Sequence, residues 1–178
     1  MTPIRHGFTL VEILVVVIIL GIASALVVPN LARRDDLNAA AAARVVVADV
    51  TFAQNQAILC QAMRYITIDA VSQKYSLLTS TPNATPVVYQ QNPTTLQNYI
   101  TYFSTAPGAG ALQNTTLLSP NVDNQTCLAF DSLGQPYSCS VATGISTPLV
   151  NVATIPIRCG TFTLTVRVEP YTGAMTVQ

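Results

Sequence analysis

Apolar residues run almost without a break from Phe8 to Val28, interrupted by one charge, Glu12, and by the small polar residues Thr9 and Ser24. A helix needs about 20 such residues to span a bilayer, so this run predicts a transmembrane helix. A secretory signal peptide has an apolar region of only about 7–15 residues, followed by a small-residue cleavage site. The longer run, with an acid near its start, reads as a helix retained in the mature protein.

From Leu31 to Met63 the pattern stays helical but becomes one-sided. Ala39–Ala43 is a strong helix-forming tract. Beyond it Val46, Val50, Ala53, Ala57 and Cys60 recur at steps of four and three, which is one apolar face of an amphipathic helix. Phe52 and Leu59 widen that face, while Gln54, Asn55, Gln56 and Gln61 fill the rest. The two runs together predict one long helix, a transmembrane half over 8–29 and an amphipathic half over 30–63. Pro29 interrupts it. Proline inside a helix costs about 3 kcal/mol or more but is better tolerated in membranes, and the prompt return of the helical pattern predicts a kink at Pro29 rather than an end.

After Met63 the period drops to two. Arg64–Asp69 alternates and Lys74–Thr79 follows a short turn, predicting a hairpin. Residues 80–125 are rich in Pro, Thr and Asn and predict a long irregular excursion with one strand near Tyr99–Phe103. Strands return at Thr126–Asp131 and Pro136–Val141, and again at Thr161–Glu169 and Ala174–Gln178, the last two joined by a Pro170-Tyr171-Thr172-Gly173 turn. The fold class is therefore α+β: a long N-terminal helix packed on an antiparallel sheet, with residues 64–178 as the sheet domain.

Composition locates the excess apolarity in that helix. Half of the 178 residues are hydrophobic and only 9% are charged. Beyond Met63 the cations Arg64, Lys74, Arg158 and Arg167 face Asp69, Asp123, Asp131 and Glu169, so no basic field exists to draw nucleic acid through its phosphates. The four cysteines, Cys60, Cys127, Cys139 and Cys159, contain no CxxC pair, which argues against a zinc site. An even count on an exported domain points to disulfides, with three pairings open. Cys127 and Cys139 flank a predicted hairpin and form the expected pair, which leaves Cys60 with Cys159. Buried free thiols are the alternative.

Glu12 is the residue that needs a reason. A carboxylate within an apolar span costs about 2.5 kcal/mol or more at depth and calls for a partner, yet the run holds no cation. A solvated position at headgroup level is the plain alternative. Cleavage before Phe8 would supply a cation: a new α-amine, with a pKa near about 7.7–8, about one helical turn from Glu12.

The stretch Gly7-Phe8-Thr9-Leu10-Val11-Glu12, after a short leader ending Arg5-His6-Gly7 and before a long apolar helix, resembles the processing site of type IV pilins and type II secretion pseudopilins. The resemblance implies removal of a 1–7 leader by prepilin peptidase at the Gly7–Phe8 bond and N-methylation of Phe8. It implies pairing of Glu12 with the Phe8 amine of an adjacent subunit to set assembly register, and a helix-kinking role for Pro29. Phe52-Ala53-Gln54-Asn55-Gln56-Ala57-Ile58, Ile66-Thr67-Ile68, Phe130-Asp131-Ser132-Leu133-Gly134 and Val168-Glu169-Pro170-Tyr171-Thr172-Gly173 are similar to H-type minor pseudopilins and their FimT-like fimbrial relatives. The positive-inside rule does not decide topology, since Arg5 lies at one end of the span and Arg33 and Arg34 at the other. The resemblance implies a single pass through the bacterial inner membrane, leader in and sheet domain outside, then incorporation into the filament.

The function expected is that of a minor pilin or pseudopilin, with other such subunits, prepilin peptidase and the inner membrane as partners. A DNA-uptake or adhesive minor pilin is the alternative; charge gives DNA contact no support, and an adhesive role would fall in the 80–125 loop. An enzyme is not expected, nor a metal or cofactor. The single histidine, His6, lies in the leader, Asp35 and Asp36 point to different helix faces and read as a solvated membrane-exit patch with Arg33 and Arg34, and Asp69, Asp123 and Asp131 fall in separate strands and loops.

Overall fold

The structure, a computed structural model, describes residues 9–31, 34–103 and 112–178, with the side chains of the first helix as far as Ala23. The chain divides into two units, Met1–Arg34 and Asp35–Gln178.

The first unit holds α1 (Leu10–Leu31), which runs through Pro29 and ends two residues later. The kink was expected at Pro29, and helix α1 continues through that residue to Leu31; the continuity of one long helix turns on residues 32–33, which lie outside the described residues. Among the described residues no helix is long and apolar enough to cross a membrane. The leader 1–7 and Phe8 also lie outside the described residues.

The second unit is built around α2 (Arg34–Cys60). Ala39, Ala42, Ala43, Val46, Val50, Ala53 and Ala57 form its buried stripe, at the three-and-four spacing that puts residues on one helix face. Cys60, expected on this stripe, is exposed, as are Ile58 and Leu59. The helix ends there: Gln61 takes φ +50°, its N–H bonds the Ile58 carbonyl, and the Ala62 N–H bonds the Ala57 carbonyl. This double closure is a Schellman motif, which needs a left-handed residue just past the helix.

Ten strands form two antiparallel sheets. The first is ordered β3 (Ile100–Tyr102), β2 (Lys74–Leu78), β1 (Arg64–Asp69), β5 (Cys127–Phe130), β6 (Pro136–Cys139), β7 (Ser146–Pro148). The second is ordered β10 (Met175–Val177), β9 (Phe162–Val168), β8 (Ala153–Cys159), β4 (Thr115–Leu117). The anticipated hairpins are present, but β4, β7 and β8 were not anticipated. β8 contains Pro156, and proline lacks the ladder donor. In the structure Thr165, opposite Pro156, directs its N–H and C=O to Gln178 instead. The Pro156–Thr165 pair is thus a non-hydrogen-bonded position of the β8–β9 ladder, and Pro156 faces the other side, where its carbonyl accepts from Leu118 N–H just past the end of β4. In the described part of the 80–125 excursion the expected strand is present as β3, β4 was not expected, and bridges Leu78–Tyr89 and Gln91–Asn98 pin it to the first sheet and to itself.

Register sorts the side chains. Ile66, Ile68, Tyr75, Leu77, Leu128 and Phe130 point from the first sheet into the core with the α2 stripe. Ile155, Ile157, Val166 and Val168 join it from the second sheet. On the opposite face of the first sheet, Tyr65, Leu78, Ala129 and the Cys127–Cys139 pair form a smaller cluster packed by Val87 and Tyr89.

Two polar residues of α2 are anchored in this setting. The buried Asp49 carboxylate accepts hydrogen bonds from the Tyr75 hydroxyl, the Tyr99 hydroxyl at 2.8 Å and the Thr101 hydroxyl at 3.2 Å. Tyr99 also stacks on Phe52, with centroids 5.4 Å apart. Gln54 donates to the Gly134 carbonyl at 2.8 Å and to the Thr172 carbonyl at 3.3 Å. Both glycine turns are shaped for this approach. Gly134 (φ +83°) and Gly173 (φ +68°) adopt the left-handed backbone that favours glycine. A Cβ on Gly173 would sit 2.6 Å from the Gln54 amide nitrogen, and one on Gly134 would sit 2.9 Å from Ile58.

The cysteines divide differently from expectation. Cys127 and Cys139 face each other across β5 and β6, with Cα atoms 5.0 Å apart, and are bonded. Cys60 and Cys159 are free, the first exposed and the second buried. The reason is distance. The Cys159 thiol lies 3.7 Å from the Asp35 carboxylate at the start of α2, whereas Cys60 ends that helix, about 37 Å further along at 1.5 Å per residue. Asp35 is accordingly not a solvated exit residue: it is half-buried and packs on Gly160, where a Cβ would meet its carboxylate oxygen at 2.2 Å. Burial first, then the charge and hydrogen bond of Asp35, push the Cys159 thiol up and keep it protonated.

Replacing Asp49 with alanine leaves three hydroxyls without their acceptor and should lower the unfolding free energy of this unit by about 2–4 kcal/mol. Asp49→Asn, which keeps an acceptor oxygen, should cost less; denaturant melts followed by near-UV circular dichroism check the order. A second expectation concerns alkali. Burial, then the charge of Asp49 and the hydrogen bond to it, push the Tyr75 hydroxyl well above its ordinary value of 10.0, and burial and Asp49 raise Tyr99 likewise. The folded state therefore holds a Tyr75 proton that the unfolded state releases above pH 10. Stability from this group is complete below pH 10 and falls above it by about 1.4 kcal/mol per pH unit. Absorbance titration at 295 nm should show Tyr75 and Tyr99 ionising only with unfolding.

Candidate functional site

The N-terminus of α1 is where the sequence concentrates its chemistry. Thr9 is the last residue before the helix, and Glu12 lies in its first turn. The Glu12 N–H donates to the Thr9 hydroxyl at 3.2 Å, and the Thr9 N–H points back to Glu12 Oε2 at 3.5 Å. The Thr9 carbonyl accepts from Glu12 N–H at 3.1 Å and from Ile13 N–H at 3.3 Å. This is a capping box: a threonine cap and a glutamate three residues on satisfy each other's free N–H groups. The 3.5 Å contact is long for a hydrogen bond, so the box holds Glu12 loosely and engages only one carboxylate oxygen. A negative charge in the first turn is also favoured by the helix dipole, by about 0.3–1 kcal/mol.

Sequence reading sought a cation for Glu12 and missed this local partner. The signal was present in Thr9-x-x-Glu12 ahead of an apolar run, a pattern that marks a capped helix start. Beyond Glu12, every large apolar side chain from Val11 to Ile22 is at least 45% exposed. Val15, Val16, Val17, Ile18, Ile19 and Leu20 follow one another without a polar break, so α1 is apolar around its whole circumference. A helix of that kind is made to be surrounded, by lipid or by other helices. Gly7 and Phe8, the expected cleavage and methylation positions, precede the described residues.

The other acids are used locally. Asp69 Oδ1 accepts from the Val71 and Ser72 N–H groups at 3.0 and 2.9 Å, and hydrogen bonds from Ser72 hold its carboxyl below the usual carboxylate range. Burial pushes Asp123 up, but it remains lowered because Val150 N–H, the Asn151 side chain and Asn151 N–H all donate to it. Asp131 accepts from Leu133 and Gln135 N–H groups within its own turn. Asp69 and Asp131 therefore serve their own turns, and Asp123 ties its loop to Val150 and Asn151. Among the described residues no three His, Cys, Asp or Glu side chains gather as a metal site. The four cations are split, Arg64 and Lys74 on the first sheet and Arg158 and Arg167 on the second.

Comparison with known proteins bears on both units. The family model for the prokaryotic N-terminal methylation motif matches residues 3–28. Curated protein sequences give no match. Among solved structures, the minor pseudopilin EpsH from the type 2 secretion system of Vibrio cholerae is similar, with a TM-score of 0.53 at 14% identity over 79% of this chain and 96% of that one. The chain thus matches an N-terminal methylation motif over residues 3–28 and has a fold similar to that of a minor pseudopilin.

If the capping box shapes the start of α1, Thr9→Ala should destabilise its first turn by about 1 kcal/mol, read as roughly fivefold faster amide exchange at Glu12 in detergent micelles. Thr9→Ser should exchange at the original rate.

Proposed function

We propose that this chain is a minor pseudopilin or pilin, a structural subunit cut by prepilin peptidase between Gly7 and Phe8 and N-methylated on Phe8. Residues 8–29 hold it in the bacterial inner membrane, with the globular unit outside, until that same helix enters a filament. The single observation that carries this reading is α1 itself, apolar on every side, with one acid, Glu12, in its first turn. A helix apolar all round has no use on a solvated domain and a clear one among lipids and neighbouring helices.

Glu12 has two duties in this reading. In the single subunit it sits in the capping box with Thr9. Its second oxygen is left for the methylated Phe8 amine of an adjacent subunit, a charge pair formed in an apolar surrounding where alternatives are costly. Pro29 would let the two halves of the helix meet the filament core and the globular unit at different angles. The DNA-uptake alternative gains nothing from cations divided between two sheets.

Glutamine separates the two duties, because Glu12→Gln keeps a capping side chain and removes the charge. Glu12→Gln and Glu12→Ala should both insert in the membrane normally and both fail to enter filaments, as measured by shear-fraction immunoblot. Filament entry by the glutamine variant would reduce Glu12 to a cap. Gly7 variants should retain the leader, seen as an unshifted mass.

A further inference from the structure

After β2 the chain leaves the first sheet and returns to it as a closed loop. At its root the Thr79 N–H donates to the Val88 carbonyl, the Val88 N–H to the Ser80 hydroxyl and the Gln90 N–H to the Leu77 carbonyl, each at 2.9 Å. Its far end is pinned elsewhere: the Asn83 amide donates to the Thr143 carbonyl at 2.8 Å, in the turn between β6 and β7. Gly144, next to that carbonyl, has φ +71°, and a Cβ there would collide with Asn83 Oδ1. The turn is thus shaped to receive the Asn83 side chain.

Root and pin stand at opposite ends of the strands. Leu78, where the loop departs, is level with Tyr65 and Ala129. The β6–β7 turn begins beyond Cys139, which is level with Cys127 and Thr67. With β1 and β5 lying between β2 and β6, the loop crosses the outer face of the sheet diagonally. Pro82 is buried in its course. Val87 and Tyr89, on its return leg, pack on the cluster that holds Cys127 and Cys139, which are 0% and 1% exposed.

Thiol–disulfide exchange begins with a thiolate reaching one of the two sulfurs. The sheet closes the pair from below and the loop crosses above it, so access depends on the loop. We propose that residues 79–90 are a strap that gates thiol–disulfide exchange at Cys127–Cys139: the bond forms or breaks only while the strap is lifted, and docking of Asn83 on the β6–β7 turn seals it. With a dithiol reductant, one thiolate bonds the first protein sulfur and expels the second as a thiolate. The reductant's other thiolate then closes its own disulfide, and two protein thiols remain. Run backwards from a disulfide donor, the same exchange makes the bond, so oxidation precedes docking of the strap. The device lies within the second unit and does not rest on the role given to α1.

The test is reduction of the full chain in detergent micelles by dithiothreitol, with thiols trapped by iodoacetamide and counted by mass. Cys60→Ser in every sample removes the exposed thiol. The folded chain should be reduced far more slowly than the chain unfolded in urea. Its rate should stay flat in urea below the unfolding transition, because lifting a strap exposes little new surface. Asn83→Ala should be reduced about two- to tenfold faster, the factor that one hydrogen bond is worth. Asn83 is exposed, so that variant should fold. Asp49→Asn, which weakens the unit away from the strap, should leave the rate unchanged. Reduction of the folded chain as fast as of the unfolded one would show that nothing is sealed and would overturn the proposal. So would an Asn83→Ala rate equal to the parent's, or a rate that climbs with urea in parallel with global unfolding.

Discussion

The globular unit depends on how narrow the buried face of α2 is. Its stripe is alanine with two valines, small side chains that pack against residues of both sheets. Two polar residues beside the stripe find partners beyond the helix. Asp49 finds three hydroxyls and Gln54 finds two carbonyls. The Asp49 contact is not optional, because a buried polar group without a partner costs about 1–3 kcal/mol and a charge more. The anchors therefore draw in elements that the apolar core alone would not hold: the edge strand β3, through Tyr99 and Thr101, and the two turns that end in Gly134 and Gly173.

This explains why segments far apart in sequence share the same motif-like look. Gln54, Gly134 and Gly173 belong to three stretches that resemble H-type pseudopilins only loosely when each is read alone. The fold brings all three to one place. Glycine stands at both turns because each has a left-handed backbone and a close neighbour, the Gln54 amide 2.6 Å from a Cβ at Gly173 and the Ile58 side chain 2.9 Å from one at Gly134. The pattern is weak as three separate turn signals and strong as one contact.

What could be read beforehand follows the range of the interaction. The α2 stripe, the β1–β2 and β9–β10 hairpins and the Cys127–Cys139 pair each depend on residues a few places apart, and periodicity or turn chemistry carries them. β8 contains Pro156, whose place in the ladder depends on which side of Thr165 is bonded to Gln178, and that is a register known only once β10 is paired. The Cys60–Cys159 bridge failed for a similar reason. It assumed that two leftover cysteines are near each other, whereas α2 holds them a helix length apart. Asp49 carries no signal at all in sequence, since its partners lie 26, 50 and 52 residues away.

Glu12 shows the same distinction inside one residue. Its local partner, Thr9, is three positions away and legible as a motif; its proposed partner lies on another molecule and leaves no trace in a single chain. The local contact does not compete with the distant one. A capping box fixes the first turn of α1 and with it the direction in which the carboxylate leaves the helix, while its long 3.5 Å arm ties up one oxygen only weakly. A cap of this strength is enough to orient a charge and too weak to satisfy it. An acid placed so, at the mouth of a helix apolar on every side, is prepared for a cation that the subunit's own apolar run does not contain.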